Sequence, residues 1–419
     1  MKDEIKQRIE QIRHGIVPEG YKKTKSGIVP EDWTEYTVGE CLERVERPVD
    51  VQADEMYTQI GIRSHGKGLF YKEPITGASL GNKAVYWVEP DCFVLNIVFA
   101  WEQAVSKTTQ KEVGMIGSHR FPMYRPINGE VDVDYLIMYM LTKRGKDILE
   151  AASPGGAGRN RTLGQDRFMK SKIILPLVGE QRQIAEVLTA QNKVIELKGK
   201  LLAEKLRQKK YLMQQLLTGK RRLPGFAGEW KMVQIGSFIH EIDERTTENN
   251  QHDILSVTKN GIVRQADHFN KQIASEDNTG YKILRRGNLA FSSMNLWMGS
   301  VDVLEDYEIG IISPAYKVFS FNDELMDIKF GRQFMRSEPM IWQYKNNSEQ
   351  GASIVRRNLD LKALLNTKVR IPEVDEQQAI AMVLQAADKE IELLCQSIEK
   401  EKQKKKALMQ LLLTGIVRV

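Results

Sequence analysis

Residues 176–188 read PLVGEQRQIAEVL, and residues 372–384 read PEVDEQQAIAMVL. The second stretch repeats the first at a distance of 196 positions, and the match continues without a gap until both copies end in LLTG, at 216–219 and 412–415. The chain therefore contains the same segment twice. A protein with two copies of one segment is expected to contact its target at two equivalent places, so the sequence indicates a symmetric or bipartite target.

The repeat extends beyond this segment into the regions that precede each copy. Trp33 returns as Trp230 and Trp101 returns as Trp297, at nearly the same displacement. A repeat unit of roughly 190–200 residues is much longer than the units of solenoid proteins, so the pattern indicates a duplicated domain pair. Between these anchors the two halves differ almost completely. We therefore expect the similar helical parts to do one job twice and the dissimilar globular parts to do related but different jobs.

The composition is that of an ordinary folded protein with a slight excess of basic residues. The 419 residues carry a net charge of +6, which is compatible with binding nucleic acid but does not require it. Cys41, Cys92 and Cys395 are too far apart for a disulfide framework or a zinc site, which favours a reducing compartment. No apolar run has the length of a membrane span, and the N-terminus has no signal-peptide pattern, so we expect a cytoplasmic protein.

Local patterns outside the repeated segment predict a mixture of helices and strands. A helix is predicted over 1–14, a loop over 15–33 and a second helix over 133–151, where apolar residues recur at helical spacing. Short β-like runs alternate with turns between the loop and the second helix. In the second half, strand-like runs cover 288–301 and 311–319. We therefore expect two globular domains with an α/β (α+β) fold.

A long helix is predicted to follow each globular part. Residues 179–218 contain no proline, and Gly219 stands where a helix C-terminal cap belongs. Apolar residues recur along this helix and its copy with a period near 3.5 residues, which is typical of a coiled coil. The seam turns polar in the first helix at Gln191, Lys198, Lys205 and Lys209. Two such helices in one chain most simply pack on each other.

The residues predicted to pack this helix pair are Ile184, Leu188, Ile195, Leu202, Leu212 and Leu216 in the first helix and Ile380, Leu384, Ile391, Ile398, Leu408 and Leu412 in the second. The chain is accordingly predicted to have four segments: a globular domain with an N-terminal arm over 1–175, a helical region over 176–219, a second globular domain over 220–371 and a second helical region over 372–419.

The sequence contains no recognisable catalytic, metal-binding or cofactor-binding signature. None of the prolines is adjacent to another, so the Pro-Pro-aromatic loop of DNA methyltransferases is missing. The nearest approach to a phosphate-binding loop, residues 61–67, is followed by Gly68 where Ser or Thr should hold magnesium. The histidines lack metal-ligand spacing. These observations favour a binding or organising role, with no catalytic residues, no metal and no cofactor in this chain.

Basic residues cluster at equivalent places in the two halves. Residues 153–161 form a glycine-rich loop with arginines, and arginines recur at the matching register of the second half. Such a loop can approach phosphates closely and can reach guanine in the major groove, although an ordinary solvated loop is the alternative. For Trp101 and Trp297 a core role is favoured over base stacking. The candidate DNA-binding residues are Arg159, Arg161, Ser118, Arg120, Asn295, Ser313, Arg356 and Arg357.

Taken together, these motifs resemble those of the specificity (S) subunits of type I restriction–modification systems, and the resemblance covers nearly the whole chain. Its most specific elements are the Pro-x3-Glu-Gln-x2-Ile-Ala motif at 176–185 and the LLTG motif at 216–219. The other matching stretches are 20–33, 222–230, 294–299 and 313–316.

The resemblance implies two target recognition domains that each read one half of a split sequence in double-stranded DNA. It implies that the two helical regions pair antiparallel, which would give the chain a pseudo-twofold internal repeat and set the length of the spacer between the half-sites. It also implies two methyltransferase (M) subunits docked on the helices, and restriction (R) subunits in the full complex. S-adenosylmethionine, ATP and Mg²⁺ would then belong to those partners, and the complex would serve in DNA methylation and phage defence.

Two hypotheses from other classes remain open at this point. A DNA-directed nuclease with an unrecognised site predicts magnesium-dependent cleavage by the isolated chain. A purely structural coiled-coil adaptor predicts two similar globular halves, whereas the halves diverge between the anchors.

Overall fold

The two long helices of the repeat are continuous in the structure, and each of them contributes to both globular units. The computed structural model describes residues 3–25, 27–81, 83–155, 161–268, 276–350 and 357–419. Unit 1 comprises Met1–Lys198 together with Ser397–Val419, and unit 2 comprises Gly199–Gln396. The chain therefore passes from one unit to the other inside a helix both times. As a result, the four segments predicted from the sequence are distributed over the two units.

Unit 1 contains the elements of the first half of the chain. Its helices are α1 (Asp3–Arg13), α2 (Val38–Cys41), α3 (Gly77–Leu80), α4 (Val133–Met140), α5 (Lys143–Ala151), α6 (Gln165–Met169), the first half of α7 (Val178–Leu216) and the last part of α13 (Val374–Leu412). Its strands are β1 (Tyr21–Thr24), β2 (Gly27–Pro30), β3 (Thr34–Thr37), β4 (Leu42–Val45), β5 (Met56–Tyr57), β6 (Ile60–Ile62), β7 (Leu69–Tyr71), β8 (Ile75–Thr76), β9 (Val85–Trp87), β10 (Phe93–Leu95), β11 (Val105–Lys107), β12 (Ile116–Ser118), β13 (Met123–Pro126) and β14 (Lys172–Leu175).

Unit 2 contains the corresponding elements of the second half. Its helices are the second half of α7, then α8 (Ile235–Phe238), α9 (Gln265–His268), α10 (Ile328–Met335), α11 (Glu338–Asn346), α12 (Leu361–Asn366) and the first half of α13 (Val374–Leu412). Its strands are β15 (Lys231–Gln234), β16 (Ile239–Glu241), β17 (Leu255–Thr258), β18 (Gly261–Arg264), β19 (Lys282–Arg285), β20 (Leu289–Ser292), β21 (Val301–Val303), β22 (Ile309–Ile312), β23 (Tyr316–Phe321), β24 (Ser348–Gln350), β25 (Arg357–Leu359) and β26 (Lys368–Ile371).

The two units share most of their sheets although their sequences differ. Each contains a four-stranded antiparallel sheet, in the order β11-β10-β13-β4 in unit 1 and β21-β20-β23-β16 in unit 2. Three two-stranded sheets of unit 1 also have counterparts in unit 2. The sheet β3–β14 corresponds to β15–β26, β9–β12 corresponds to β19–β22, and β6–β7 corresponds to β17–β18. The divergent halves therefore keep a common framework.

Four local predictions need correction, and one of them is the strand-like run over 311–319, which is interrupted between β22 and β23. The predicted helix over 133–151 is two helices, because the Thr142 hydroxyl accepts a hydrogen bond from the Gly145 amide and begins α5 there. The predicted loop over 15–33 contains the hairpin β1–β2. The strand-like run over 288–301 is divided into β20, a 3-10 helix at Leu296–Met298 and the first residue of β21.

Within each unit, the beginning of one long helix lies against the end of the other. Ile184 and Leu188 of α7 share the core of unit 1 with Leu412 of α13. In unit 2, Leu216 shares a core with Ile380 and Leu384. Residue numbers rise along one helix as they fall along its neighbour, so the helix segments run antiparallel within each unit.

The predicted helix-pair residues fall into two groups. Six are buried, namely Ile184, Leu188, Leu216, Ile380, Leu384 and Leu412. The other six are partly buried, namely Ile195, Leu202, Leu212, Ile391, Ile398 and Leu408. The apolar core is therefore deepest where the helix ends meet the globular parts.

The polar positions of the seam bind acidic partners on the facing helix. In unit 1 the Lys198 ammonium lies 2.7 Å from the Glu401 carboxylate, which also accepts a hydrogen bond from Gln191 at 2.8 Å. In unit 2 Lys205 lies 2.7 Å from Glu390, and Lys209 pairs with Asp388. Polar pairs of this kind favour one register and one orientation of paired helices, so the interruption of the apolar pattern is consistent with the pairing.

The glutamine of the repeated motif connects each long helix to its globular part. Gln181 is fully buried, and its amide nitrogen donates to the carbonyl oxygens of Glu130 and Pro176 at 2.8 and 2.9 Å. Its side-chain oxygen accepts from the Asp132 amide at 2.9 Å, directly before α4. Gln377 makes the same three hydrogen bonds in unit 2. This shared geometry gives a structural reason for the repetition of the motif.

The glutamate of the motif binds an arginine that follows the end of the other long helix. In unit 2 the buried Glu376 carboxylate accepts two hydrogen bonds from Arg222, at 2.5 and 2.6 Å, and a third from the Trp230 indole at 3.2 Å. In unit 1 Glu180 pairs with Arg418 in the same way. Each LLTG terminus is thereby held to the start of the other helix.

Replacement of Arg222 by alanine should destabilise unit 2 by about 2–3 kcal/mol, because the Glu376 carboxylate would remain buried without its cation. The expected loss is somewhat smaller than the ~3–5 kcal/mol of fully buried pairs, since Arg222 keeps some contact with water. Urea denaturation followed by hydrogen exchange of unit 2 peptides measures this loss. Arg221→Ala, at an exposed neighbouring arginine, is the control. Equal stability of the two variants would exclude this role for Arg222.

Candidate nucleic-acid interface

Each unit presents one arginine over one tryptophan, at positions that correspond in the repeat. The Arg161 guanidinium carbon lies 5.5 Å from the centre of the Trp101 ring, and that of Arg357 lies 5.9 Å from the Trp297 ring. Both distances permit a cation–π interaction. We call each pair an arginine–tryptophan site. The sequence predicted a core role for both tryptophans, but the structure places them partly buried under an arginine.

The tryptophans are held by equivalent 3-10 helices that follow the inner strands β10 and β20. In unit 1 this helix is Ala100–Glu102, and in unit 2 it is Leu296–Met298. The Trp101 indole donates to the Val98 carbonyl at 3.1 Å. The Trp297 indole nitrogen is buried and has no hydrogen-bond partner among the described residues.

Neither arginine is neutralised by a carboxylate in the part of the chain that the structure describes. Arg357 begins β25, and its guanidinium donates to the carbonyl oxygens of Lys345 and Ser348, at 3.3 and 2.5 Å, and to the Ser348 hydroxyl. These hydrogen bonds orient the side chain but leave its charge uncompensated. An uncompensated guanidinium on an aromatic face can bind a phosphate or the edge of a guanine.

Backbone hydrogen bonds bring the predicted residues of unit 1 together. The Ile97 amide donates to the Arg120 carbonyl at 3.0 Å, and the Ile97 carbonyl accepts from the Leu163 amide at 2.8 Å. The segments that carry Arg120 and Arg161 therefore meet beside the strand end that leads to Trp101. Ser118 is the last residue of β12, and its hydroxyl accepts from the Arg120 amide at 3.3 Å.

The corresponding segments also meet in unit 2. The Arg357 amide donates to the Met294 carbonyl at 3.3 Å, which places Arg357 beside Asn295. The Ser313 carbonyl accepts from the Tyr316 amide, and Tyr316 pairs with Ser292 at the end of β20. Asn295, Ser313 and Arg357 therefore belong to one region. Arg159 and Arg356 lie outside the described residues, and direct contact of any of these residues with DNA stays a prediction.

An exposed apolar group beside the unit 2 site was missed in the sequence. Met294 and Met298 are exposed, and Trp342 on α11 is 61 % exposed. Helix α11 packs on the 3-10 helix that carries Trp297. Met340 and Tyr344 form the buried side of α11, so the helical spacing of this short segment could have placed Trp342 on the outer face.

The described residues contain no cluster of three or more His, Cys, Asp or Glu side chains that could hold a metal ion. Among the helices of the described ranges, none is long and apolar enough to cross a membrane.

Comparison with known proteins shows similarity along nearly the whole chain. No family model matches the chain. Two curated proteins of Methanocaldococcus jannaschii, the MjaX and MjaVIII specificity subunits of type I restriction enzymes, are each 22 % identical to it. Both alignments cover 96 % of this chain, and they cover 97 % and 96 % of the respective relatives.

Solved structures of the same kind share the fold. The HsdS subunit from Thermoanaerobacter tengcongensis matches with a TM-score of 0.54 and 17 % identity, over 93 % of this chain and 98 % of that chain. A chain from a study of complex assembly and conformational transition of the type I R-M system matches with a TM-score of 0.59 and 17 % identity, over 93 % and 99 %. The S subunit from M. genitalium matches with a TM-score of 0.51 and 12 % identity, over 91 % and 96 %.

These full-length matches, together with the duplicated framework, confirm the resemblance inferred from the motifs. Over nearly its whole length the chain is therefore similar in sequence and in fold to type I restriction enzyme specificity subunits.

Proposed function

We propose that this chain reads a bipartite sequence in double-stranded DNA and organises the catalytic subunits of a type I restriction–modification complex without being catalytic itself. The observation that carries this proposal is the pair of arginine–tryptophan sites at equivalent positions of two units that share one framework but differ in sequence. Equivalent sites on divergent units suit two different half-sites on one DNA molecule.

The long helices are proposed to serve as the spacer between the two readers. Each is 39 residues long, which corresponds to about 58 Å of α-helix. Half-sites on the same side of DNA are separated by about 34–36 Å or a multiple of it, so helices of this length are adequate for the task.

The outer faces of the helices are proposed to bind two M subunits, and R subunits would join the full complex. Leu197 is 51 % exposed, and its repeat equivalent Leu393 is 52 % exposed. Val187, Val194 and Leu201 lie at heptad spacing on α7 and are also exposed. Exposed apolar residues at this spacing suit a partner helix. In this proposal S-adenosylmethionine, ATP and Mg²⁺ belong to the partner subunits.

Methylome sequencing tests the proposal directly. A host that expresses a candidate M subunit is compared with and without this chain. A new methylated motif with two short half-sites around a constant gap would support the proposal and supply the target sequence. If an assembled and active M subunit gives no new motif, the reading function is wrong. Magnesium-dependent cleavage by the isolated chain would instead favour the nuclease hypothesis.

Arg357→Ala should weaken binding of the assembled complex to its target DNA by about 1–3 kcal/mol, roughly 5- to 150-fold, with the loss confined to one half-site. Fluorescence anisotropy on duplexes with each half-site altered in turn measures this effect. Arg286→Ala is the control, because Arg286 is an arginine of the same unit that pairs with Glu308. A uniform loss on all sequences would show that Arg357 contacts only the phosphate backbone.

A further inference from the structure

Unit 1 contains a basic pocket between the beginning of α5 and the last turns of α13. Its volume is about 630 Å³, and Lys143, Arg144, Lys402, Lys405 and Lys406 contribute the charged part of its lining. Leu141 and Met409 contribute an apolar part. The residues that line it include no acidic side chain.

The cations of this basic pocket are almost entirely unpaired. Among the described residues, no carboxylate lies within 4.0 Å of Lys143, Arg144, Lys405 or Lys406, whereas Lys402 lies 3.5 Å from the exposed Glu399. Burial lowers the pKa of Lys405, because no acid offsets the loss of hydration. Several like charges around one recess repel one another, so the pocket is adapted to an anion.

The corresponding region of unit 2 provides its own acids. Helix α11 is the equivalent of α5, and it begins with Glu338 where α5 begins with Lys143. Glu338 lies 2.9 Å from Lys210, the equivalent of Lys406, and accepts a hydrogen bond from Gln214 at 3.1 Å. The chain itself therefore neutralises this position in unit 2.

A second acid is replaced in the same region. Lys209, the equivalent of Lys405, pairs with Asp388 in unit 2. The position that corresponds to Asp388 in the first half of the repeat is Asn192, which carries no charge. Unit 1 therefore has a lysine and an asparagine at the two positions where unit 2 has carboxylates. The lysines that pair with these carboxylates in unit 2 are present in both units.

We propose that the basic pocket of unit 1 binds a carboxylate-rich segment of a partner protein, which supplies from outside the acidic groups that unit 2 supplies from its own chain. The carboxylate in unit 2 shows which anion this framework accommodates. Leu141 and Met409 favour a peptide over the DNA backbone, since a peptide can present apolar side chains beside its acids and a phosphodiester chain cannot. The asymmetry between the units predicts one such segment for each chain.

The test uses the isolated full-length chain without DNA, so its outcome is independent of the DNA-reading proposal. A short fluorescent peptide of glutamate and leucine residues is titrated by anisotropy. Lys143→Glu and Lys406→Glu should each raise the Kd by about tenfold or more, because each change reverses a charge that lines the pocket. Lys400→Glu, an equal charge change on the same helix outside the pocket lining, should leave the Kd unchanged within about twofold.

Each other outcome would overturn the proposal. Equal binding of the peptide to all variants would mean that it binds through overall charge alone. Binding of a duplex oligonucleotide that falls in Lys143→Glu, with no binding of the peptide, would assign the pocket to DNA phosphates. If inorganic phosphate displaces the peptide completely when both are present at the same concentration of negative charge, the pocket is a site for simple anions and not for a peptide. Circular dichroism of each variant verifies that these substitutions leave the fold intact.

Discussion

Replacing Gln377 by alanine should lower the free energy of unfolding of unit 2 by about 3–5 kcal/mol. The Gln377 side chain is fully buried and satisfies two backbone carbonyl groups, of Leu325 and Pro372, and the amide of Asp327. Alanine would leave these three groups without partners, and each such loss costs about 1–3 kcal/mol. The three costs are not fully additive, because water can enter the space left by the amide.

The effect should be confined to one unit, which makes the prediction specific. Hydrogen exchange under increasing urea should show earlier opening of β20 and α10, while β10 and α4 of unit 1 keep their protection. Gln181→Ala should give the reverse pattern. Gln378→Ala is the matched control, because Gln378 is the next residue and its side chain is exposed. A loss below about 1 kcal/mol in Gln377→Ala would refute the proposed role of the buried amide.

Removing residues 198–204 together with residues 394–400 should abolish high-affinity binding to the natural target and create binding to a target with a different spacer. One heptad is removed from each long helix, which shortens both by about 10 Å, the length of about three base pairs. Seven residues are two turns of a coiled coil, so the apolar seam and the ion pairs of Lys205 and Lys209 keep their register. The half-site sequences should remain the same, since no residue of the arginine–tryptophan sites is altered.

A duplex library that contains both half-sites and every spacer length over a full DNA turn measures this change. Affinity for the natural spacer should fall toward the nonspecific level, a loss on the order of 10³-fold or more. Deletion of 198–204 alone is the control, because it misaligns the two helices and should impair binding at all spacers. Altered half-site sequences with an unaltered spacer would contradict the proposal that the helices set the distance.

The sequence predicted the parts of the fold that depend on repetition and periodicity. The helix predicted over 179–218 is observed as Val178–Leu216, because an uninterrupted apolar period and a terminal glycine are local signals. The boundary between α4 and α5 was missed, since it depends on one capping hydroxyl at Thr142. Polar seam positions could be located in the sequence, but their acidic partners are distant in the chain and become visible only in the structure.

The candidate site was predicted in outline but not in its chemistry. The arginines and tryptophans were identified because they recur at one displacement, yet periodicity cannot show that Arg161 lies over Trp101. The hydrogen bonds of Gln181 and the ion pair of Glu180 could not be predicted either, since a motif shows which residues recur but not what they bind. The basic pocket depends on a comparison of Lys143 with Glu338, which requires the alignment of two short helices that the sequence does not mark.

Unit 1 is formed by two segments that are distant in the chain, and this affects the order in which the two units can fold during translation. Unit 2 is one continuous stretch, Gly199–Gln396, and can be completed as soon as that stretch has emerged. Unit 1 is synthesised mostly first, but it lacks Leu412, Leu413 and Arg418 until the segment Ser397–Val419 has been synthesised after unit 2. Unit 2 should therefore be able to complete its folding before unit 1. Until the last segment of unit 1 is available, part of the unit 1 core remains exposed to solvent.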